Sequence, residues 1–381
     1  MHAGEAMALK HLDRMTDSTG LIQHAIYGVP RRESGYTTDD NARALRLCVR
    51  LWNQHPDEQM LKRVTAYMSF LEYARGVGRG FHNFLGYDRR WLDAEGCGDC
   101  QGQAVRSLAE VLGSNLPGGY RALARELIDA VLPALADLRS LRAQAYVILA
   151  LGHLRGAGIE DIEPLETVAW SAARRLAECY ARALRPDWRW FESRMTYANA
   201  VLPHALFIAA ERWPRENFLE IARASFTFLD RQTTVEGVFW PVGNEGWYPR
   251  GEEKAPYDQQ PVEAVTMAES ALAAFDLLGD DKYLAAFRRA HGWFHGRNSL
   301  KRPLADVRSG ACHDGLQASG VNHNQGAEST FAFLWTEMSN TELLPLPGDN
   351  PRAVAARFVQ HAPTRSCHHG DASGGARVAS T

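Results

Sequence analysis

Residues 320–334 read Gly-Val-Asn-His-Asn-Gln-Gly-Ala-Glu-Ser-Thr-Phe-Ala-Phe-Leu. They pass from a glycine-bounded polar loop straight into an amphipathic helix. Ala327, Phe331 and Leu334 recur at helical spacing and so share one face. Asn322, Asn324, Gln325 and Glu328 crowd the helix start with more hydrogen-bonding groups than a cap requires. The same construction, a long polar loop running into an inward-facing helix, recurs at four other places along the chain. That repetition decides the fold.

Working outward, apolar periodicity predicts helices over 3–16, 40–54, 58–75, 100–113, 119–136, 141–155, 160–183, 196–212, 215–231, 260–278, 281–296 and 324–338. Pro203 predicts a kink or a late start in the eighth of these, and Pro261 suits a first helical turn. The connections alternate in length. Short ones fall at 55–57, 114–118, 156–159, 213–214 and 279–280, and long ones at 17–38, 76–99, 184–195, 232–259 and 297–323, while 137–140 is a brief segment in a long slot. Helices joined by short loops pack as antiparallel hairpins. If every second connection is long, the long loops emerge together at one end. About six such hairpins predict an all-α closed toroid, the (α/α)6 barrel, with its site at the long-loop end; an open α-solenoid has the same local signature. The expected organisation is one barrel domain over 1–340 and a poorly ordered tail over 341–381, where Pro, Gly, Arg, His and Ser replace apolar periodicity. His368-His369 in that tail reads as solvated.

Composition narrows the function classes. Of the 381 residues 45% are hydrophobic and 23% charged, and the net charge is -3 with neither sign segregated. This is a globular chain with no electrostatic footprint for nucleic acid or anionic lipid. No apolar run approaches the ~20 residues of a membrane span, and Met1 to Asp17 lacks a secretory apolar region, so a cytoplasmic location is expected. The six cysteines (48, 97, 100, 179, 312, 367) are scattered and predict no disulfide framework.

The long loops carry the chemistry. The first ends in Gly35-Tyr36-Thr37-Thr38-Asp39-Asp40-Asn41-Ala42-Arg43. One acid suffices to cap a helix and suit its dipole; a second, flanked by Tyr36, Asn41 and Arg43, points to a site. The second loop ends in Cys97-Gly98-Asp99, the fourth carries Trp188-Arg189-Trp190-Phe191-Glu192 and Tyr197-Ala198-Asn199, the fifth Trp247 and Asp258-Gln259-Gln260-Pro261-Val262-Glu263, and the sixth Asp314 and the opening stretch. Trp91, Trp188, Trp190, Trp240 and Trp247, five of the ten tryptophans, lie in these loops. Aromatics beside clustered acids and amides suit sugar rings, which offer an apolar face and a rim of hydroxyls; the alternative is that they pack the loops down. Cys97, Cys100, Cys312 and His313 form a weaker pattern, a Cys3His zinc set without a second paired Cys-x-x-Cys, and neither metal nor cofactor is expected.

With those residues in view, the chain resembles the six-hairpin glycosidase superfamily, and within it a bacterial group often labelled glycosyltransferase-associated. The resemblance rests on the motifs at 35–43, 258–263 and 322–329, and departs from that group at Cys97-Gly98-Asp99, where the group has a Ser-Glu-Asp-like run, and near Gln103, where it has an arginine. It implies a carbohydrate ligand and a glycosyltransferase neighbour.

The expected activity is that of a carbohydrate-active enzyme, foremost a glycoside hydrolase acting on an oligosaccharide with paired carboxyls. Asp39 or Asp40 and Glu328 are the expected pair, with Asp99, Glu263 and Glu192 in reserve. Tyr36, Glu192, Tyr197, Asn199, Trp247, Asp258, Gln259, Gln260, Asp314, Asn322, Asn324 and Gln325 are the expected sugar-binding residues. Two further readings stay open. One is a sugar epimerase or isomerase with two bases drawn from His24, His82, His204, His313 and His323; the other is a non-catalytic sugar-binding domain.

Overall fold

The computed structural model describes residues 7–343 except 77 and 79. Twelve α-helices are found among them: α1 Lys10–Met15, α2 Thr38–Gln54, α3 Glu58–Ala74, α4 Gly98–Leu112, α5 Gly118–Ala136, α6 Leu141–Gly156, α7 Glu163–Ala183, α8 Val201–Arg212, α9 Phe218–Gln232, α10 Pro261–Leu278, α11 Asp281–Phe294 and α12 Ala327–Leu343. Helix α12 therefore runs three residues past the expected domain boundary at 340, and the remainder of the expected tail, with His368-His369, lies outside the described residues. Pro203 does produce a late start: 196–200 stays irregular and α8 opens at Val201.

The even-numbered helices form an inner ring. Each packs on the next, α2 on α4, then α6, α8, α10 and α12, and α12 returns to α2. That last contact closes the toroid and removes the open solenoid. The inner helices are buried nearly all round, as residues 100–111 and 141–151 show, whereas α3, α5, α7, α9 and α11 bury one stripe and wet the other. Gly102 marks a close approach of α4 to the α6 backbone. A β-carbon there would lie 2.9 Å from the Ala143 carbonyl oxygen and 2.9 Å from the Tyr146 Cβ, so Gly102→Ala would force α4 away from α6.

All six inner helices start at the same end, where the long connections gather. These connections are not structureless. They contain six two-stranded antiparallel ribbons, absent from the sequence reading because two-residue strands are too short to show alternation. Several tie one loop to another, which satisfies backbone groups that would otherwise be buried unpaired. Tyr36–Thr37 pairs with Phe84–Leu85, joining the first loop to the second, and Arg194–Met195 pairs with Tyr248–Pro249, joining the fourth to the fifth. Bridges from Gln259 to Leu316 and from Ile26 to Asn324 join fifth to sixth and sixth to first. Gly35, at φ 64° with its Cα against the Leu85 carbonyl, permits the first of these ribbons; a side chain there would meet that oxygen at 2.2 Å. The brief connection at 137–140, between the second and fourth loops, contributes no strand among the described residues.

Candidate functional site at the long-loop rim

Every inner helix delivers polar side chains at or just before its first turn: Asp39, Asp40 and Arg43 on α2, Asp99 on α4, Arg142 on α6, Tyr197 and Asn199 before α8, Glu263 on α10, Glu328 on α12. Helix N-termini carry partial positive charge, so a ring of six favours carboxylates at this end.

At the closure seam three of the expected acids meet on one guanidinium. Arg43 Nη1 donates to Asp39 Oδ2 at 3.1 Å and to Asp40 Oδ1 at 3.0 Å, and Nη2 lies 2.8 Å from Glu328 Oε2. The first and last hairpins thus place their carboxylates around a common point. Asp40 is 5% exposed and its other oxygen accepts from the Thr37 hydroxyl at 2.8 Å. Burial and then the neighbouring Asp39 push its carboxyl up to about 8. Glu328 stands further out, its side chain 39% exposed, and Asp39 is 24% exposed. Enclosure by the barrel wall lifts Glu328; Arg43 opposes this, and Asp39, Asp314 and Asp99 add to it.

Across the bowl, Asp99 accepts from the Tyr197 hydroxyl at 2.7 Å and from Ser140 Oγ at 2.9 Å. Arg142 donates to Glu192 at 3.0 Å and lies 4.7 Å from the Tyr197 ring centroid. Trp247 approaches the same ring at 6.3 Å. Glu263 is buried, holds the Asn199 amide nitrogen at 2.9 Å, and leaves Oε1 without a partner; burial raises its carboxyl to about 7.

Other expected binding residues serve the scaffold instead. Tyr36 is 2% exposed and its hydroxyl donates to Asp17, so it packs under the first loop beside Phe70. Gln259 is fully buried and spends its amide on Pro256, Ser299 and the Trp293 indole. Asp314 takes the Gly326 backbone N–H at 2.7 Å and the Ser329 hydroxyl, pinning the start of α12. Asn324 joins the Ala25 N–H to Asp314, and Asn322 accepts from the Asn324 N–H. Gln325 receives His11 on its carbonyl, Gln260 is the half-buried residue before α10, and Asp258, lifted by burial, has a buried Oδ1 without a partner. Of the loop tryptophans, Trp188 and Trp190 are core residues, Trp91 stacks on His82 and Trp240 donates to the Pro256 carbonyl, which leaves Trp247 beside Tyr197.

The five histidines weighed as paired bases do not face one another across a common point, each being held by its own surroundings. His82 is held by the Asp93 carbonyl, His24 by Asn324, His323 lies against Tyr27, and His204 is buried deeper, its unpartnered imidazole pushed down to about 3 by burial. Cys100 and Cys312 turn their thiols to the backbone carbonyls of His82 and His313, and among the described residues the weaker Cys3His pattern weighed in the sequence does not converge.

Sequence reasoning missed Arg142 and the barrel interior. Below the rim, Arg46 donates to Glu110 at 2.6 Å and Glu269 at 2.8 Å, and Arg106 clamps Glu269 through both amino groups at 3.0 and 3.2 Å. Their one signal in the sequence is a charged residue inside a helix that is otherwise apolar all round.

No protein-family model and no curated protein matches this chain. Solved structures do resemble it. A D-mannose isomerase superposes with a TM-score of 0.67 at 13% identity, covering 88% of this chain and 96% of that one. A cellobiose 2-epimerase from Bacillus thermoamylovorans gives 0.65 at 12% identity, over 87% and 96%. The α-1,6-mannanase from a Salegentibacter species gives 0.55 at 11% identity, over 86% and 94%. At such identities the likeness establishes the architecture, an (α/α)6 toroid, and leaves the chemistry to the site.

Proposed function

We propose that this chain is a glycoside hydrolase acting on an oligosaccharide bound across the long-loop rim. The observation that carries the reading is the meeting of Asp39, Asp40 and Glu328 on Arg43. One positive charge does not neutralise three carboxylates in a partly buried site, so the cluster holds a proton into the neutral range. Glycosidic cleavage needs that pairing of one protonated and one ionised carboxyl. Glu328, the more accessible lifted carboxyl, is the proposed general acid: it gives its proton to the glycosidic oxygen as the bond to the anomeric carbon breaks. Asp39 is the proposed ionised partner, taking a proton from the attacking water or bonding the anomeric carbon itself. Asp40 is proposed to set the charge of the cluster from behind. The side of the rim with the short connection at 137–140 is the proposed entrance, with Asp99, Tyr197, Glu192 and Trp247 binding the sugar there.

Reducing-end release from a panel of α- and β-linked oligosaccharides tests this, with Glu328→Gln and Asp39→Asn as variants. Full activity in both refutes the assignment. His204 supports a second reading, the epimerase or isomerase, because it is a neutral imidazole on an inner helix. Solvent deuterium entering a monosaccharide, with loss of exchange in His204→Ala and no reducing-end release, would establish that chemistry instead. Binding without turnover would leave a sugar-binding domain. A glycosyltransferase partner, the expectation from the family resemblance, is tested by co-purification.

A further inference from the structure

On the flank of the barrel, away from the rim carboxylates, three metal-ligating side chains aim at one point. His291 and His295 stand four residues apart at the end of α11 and so face the same way. Glu337 reaches them from α12. Its Oε2 lies 2.9 Å from His291 Nε2 and 2.9 Å from His295 Nε2, and the two nitrogens are 3.2 Å apart. Phe287 stacks on His291 and Phe333 stands edge-on to His295, walling the group on two sides. Glu337 is 9% exposed and His295 29%, so the triangle is closed from the core and open toward solvent.

Hydrogen bonding accounts poorly for this triangle. If both imidazoles donate to Oε2, two N–H groups converge on one acceptor with their nitrogens almost in contact. If one imidazole donates to the other, the acceptor nitrogen presents a lone pair to a carboxylate. A cation at the centre removes both conflicts. Zinc bonds imidazole nitrogen and carboxylate oxygen at about 2.0–2.2 Å, and three ligands at tetrahedral angles then stand roughly 3.3 Å from one another, close to the separations here. Two neutral imidazoles and one carboxylate, with a fourth position facing water, form a donor set that zinc accepts readily.

We infer that His291, His295 and Glu337 form a zinc site that staples the fifth hairpin to the last inner helix beside the closure seam. Glu337 lies nine residues beyond Glu328, roughly 13 Å along the helix, so the ion is a clamp on the barrel wall and not part of the carboxylate cluster. It shares no residue with the Cys97, Cys100, Cys312 and His313 pattern in the sequence.

The test uses the full untagged chain with His368 and His369 replaced by alanine, so that the tail pair contributes nothing. The metal-free protein is titrated with Zn2+ and with Co2+. The site predicts one ion per chain, the visible bands of tetrahedral Co2+ displaced by Zn2+, and a melting temperature that rises by several degrees with zinc. His291→Ala, His295→Ala and Glu337→Gln should each abolish the bands and the thermal shift, whereas Cys312→Ser and His24→Ala should keep both. Absence of zinc binding by the parent protein overturns the proposal without recourse to any variant. So does binding that survives in both Glu337→Gln and His291→Ala, which would place the ion elsewhere.

Discussion

Two charge clusters occupy the same barrel, centred on Arg43 and Arg46 three residues apart on α2, and they are built to opposite rules. In the interior, Arg46 and Arg106 face Glu110 and Glu269, two cations for two anions, all four under 10% exposed. Burial would raise both glutamates, but the guanidiniums outweigh it and hold both below the ordinary range. At the rim, one arginine faces three acids and the bowl is open, so the acids that move go up. A balanced lattice fixes its charges for good; an overloaded guanidinium leaves a proton in play. Stoichiometry around arginine, more than burial, separates scaffold from candidate chemistry here.

The sharpest way to break that comparison is to neutralise one acid in each cluster. Glu328→Gln should lower turnover by about 10²–10⁴-fold, the usual contribution of acid–base catalysis, while its melting temperature stays near that of the parent, because the rim loses one of three competing anions. Glu269→Ala should do the reverse. It leaves two buried guanidiniums short of an anion, and removing one partner of a buried pair costs about 3–5 kcal/mol. Urea unfolding measures that loss. Equal stability losses in the two variants would erase the distinction.

How much of this the sequence disclosed follows from the same physics. The twelve helices were legible because amphipathic periodicity and Pro or Gly punctuation are local signals, and the alternation of loop lengths put Asp39, Asp40 and Glu328 at one end before any coordinates. Closure was not legible, since the packing of α12 on α2 joins residues about 290 apart and leaves no mark in either segment. Nor was the fate of individual polar side chains. Asn324 and Asp314 look as well suited to a sugar as Glu328 does, yet they are consumed in tying the first loop to the sixth. Trp188 and Trp190 sit in a polar loop and still end in the core, because the fourth and fifth loops fold over them through the Arg194–Pro249 ribbon.

The comparison can be sharpened by pH. Asp40 has a folded pKa of about 8 against an ordinary 3.8, so this carboxyl binds its proton more tightly in the native state than in the unfolded chain, and the stability it contributes falls as pH rises from about 4 to 8. Glu110 and Glu269 are held below their ordinary 4.5; the stability they confer is complete above that value and is lost as pH falls below it. Unfolding free energy against pH should therefore rise from the acid side and decline on the alkaline side. Asp40→Asn should flatten the alkaline limb alone, gaining on the parent at pH 9 and matching it near pH 4. A parent curve that keeps rising to pH 8, or an unchanged slope in Asp40→Asn, would show that the rim proton resides elsewhere.

The smallest effect expected is beside the short connection at 137–140. Tyr197 is 38% exposed, yet its hydroxyl is committed to Asp99 at 2.7 Å and its ring is covered by Arg142. Burial and Asp99 both raise this phenol, so it stays a donor throughout the working range. Tyr197→Phe removes one hydrogen bond to a carboxyl that Ser140 still serves, a loss of about 1 kcal/mol in net terms, or roughly fivefold in an equilibrium constant. If Asp99 only holds sugar hydroxyls at the entrance, the loss should appear in KM with kcat unchanged, because an interaction made equally in ground and transition states lowers binding without altering turnover. A fall in kcat of the same size would move Asp99 from the entrance into the reacting cluster, and would mean that the overloaded guanidinium at the seam is one half of a larger acid array.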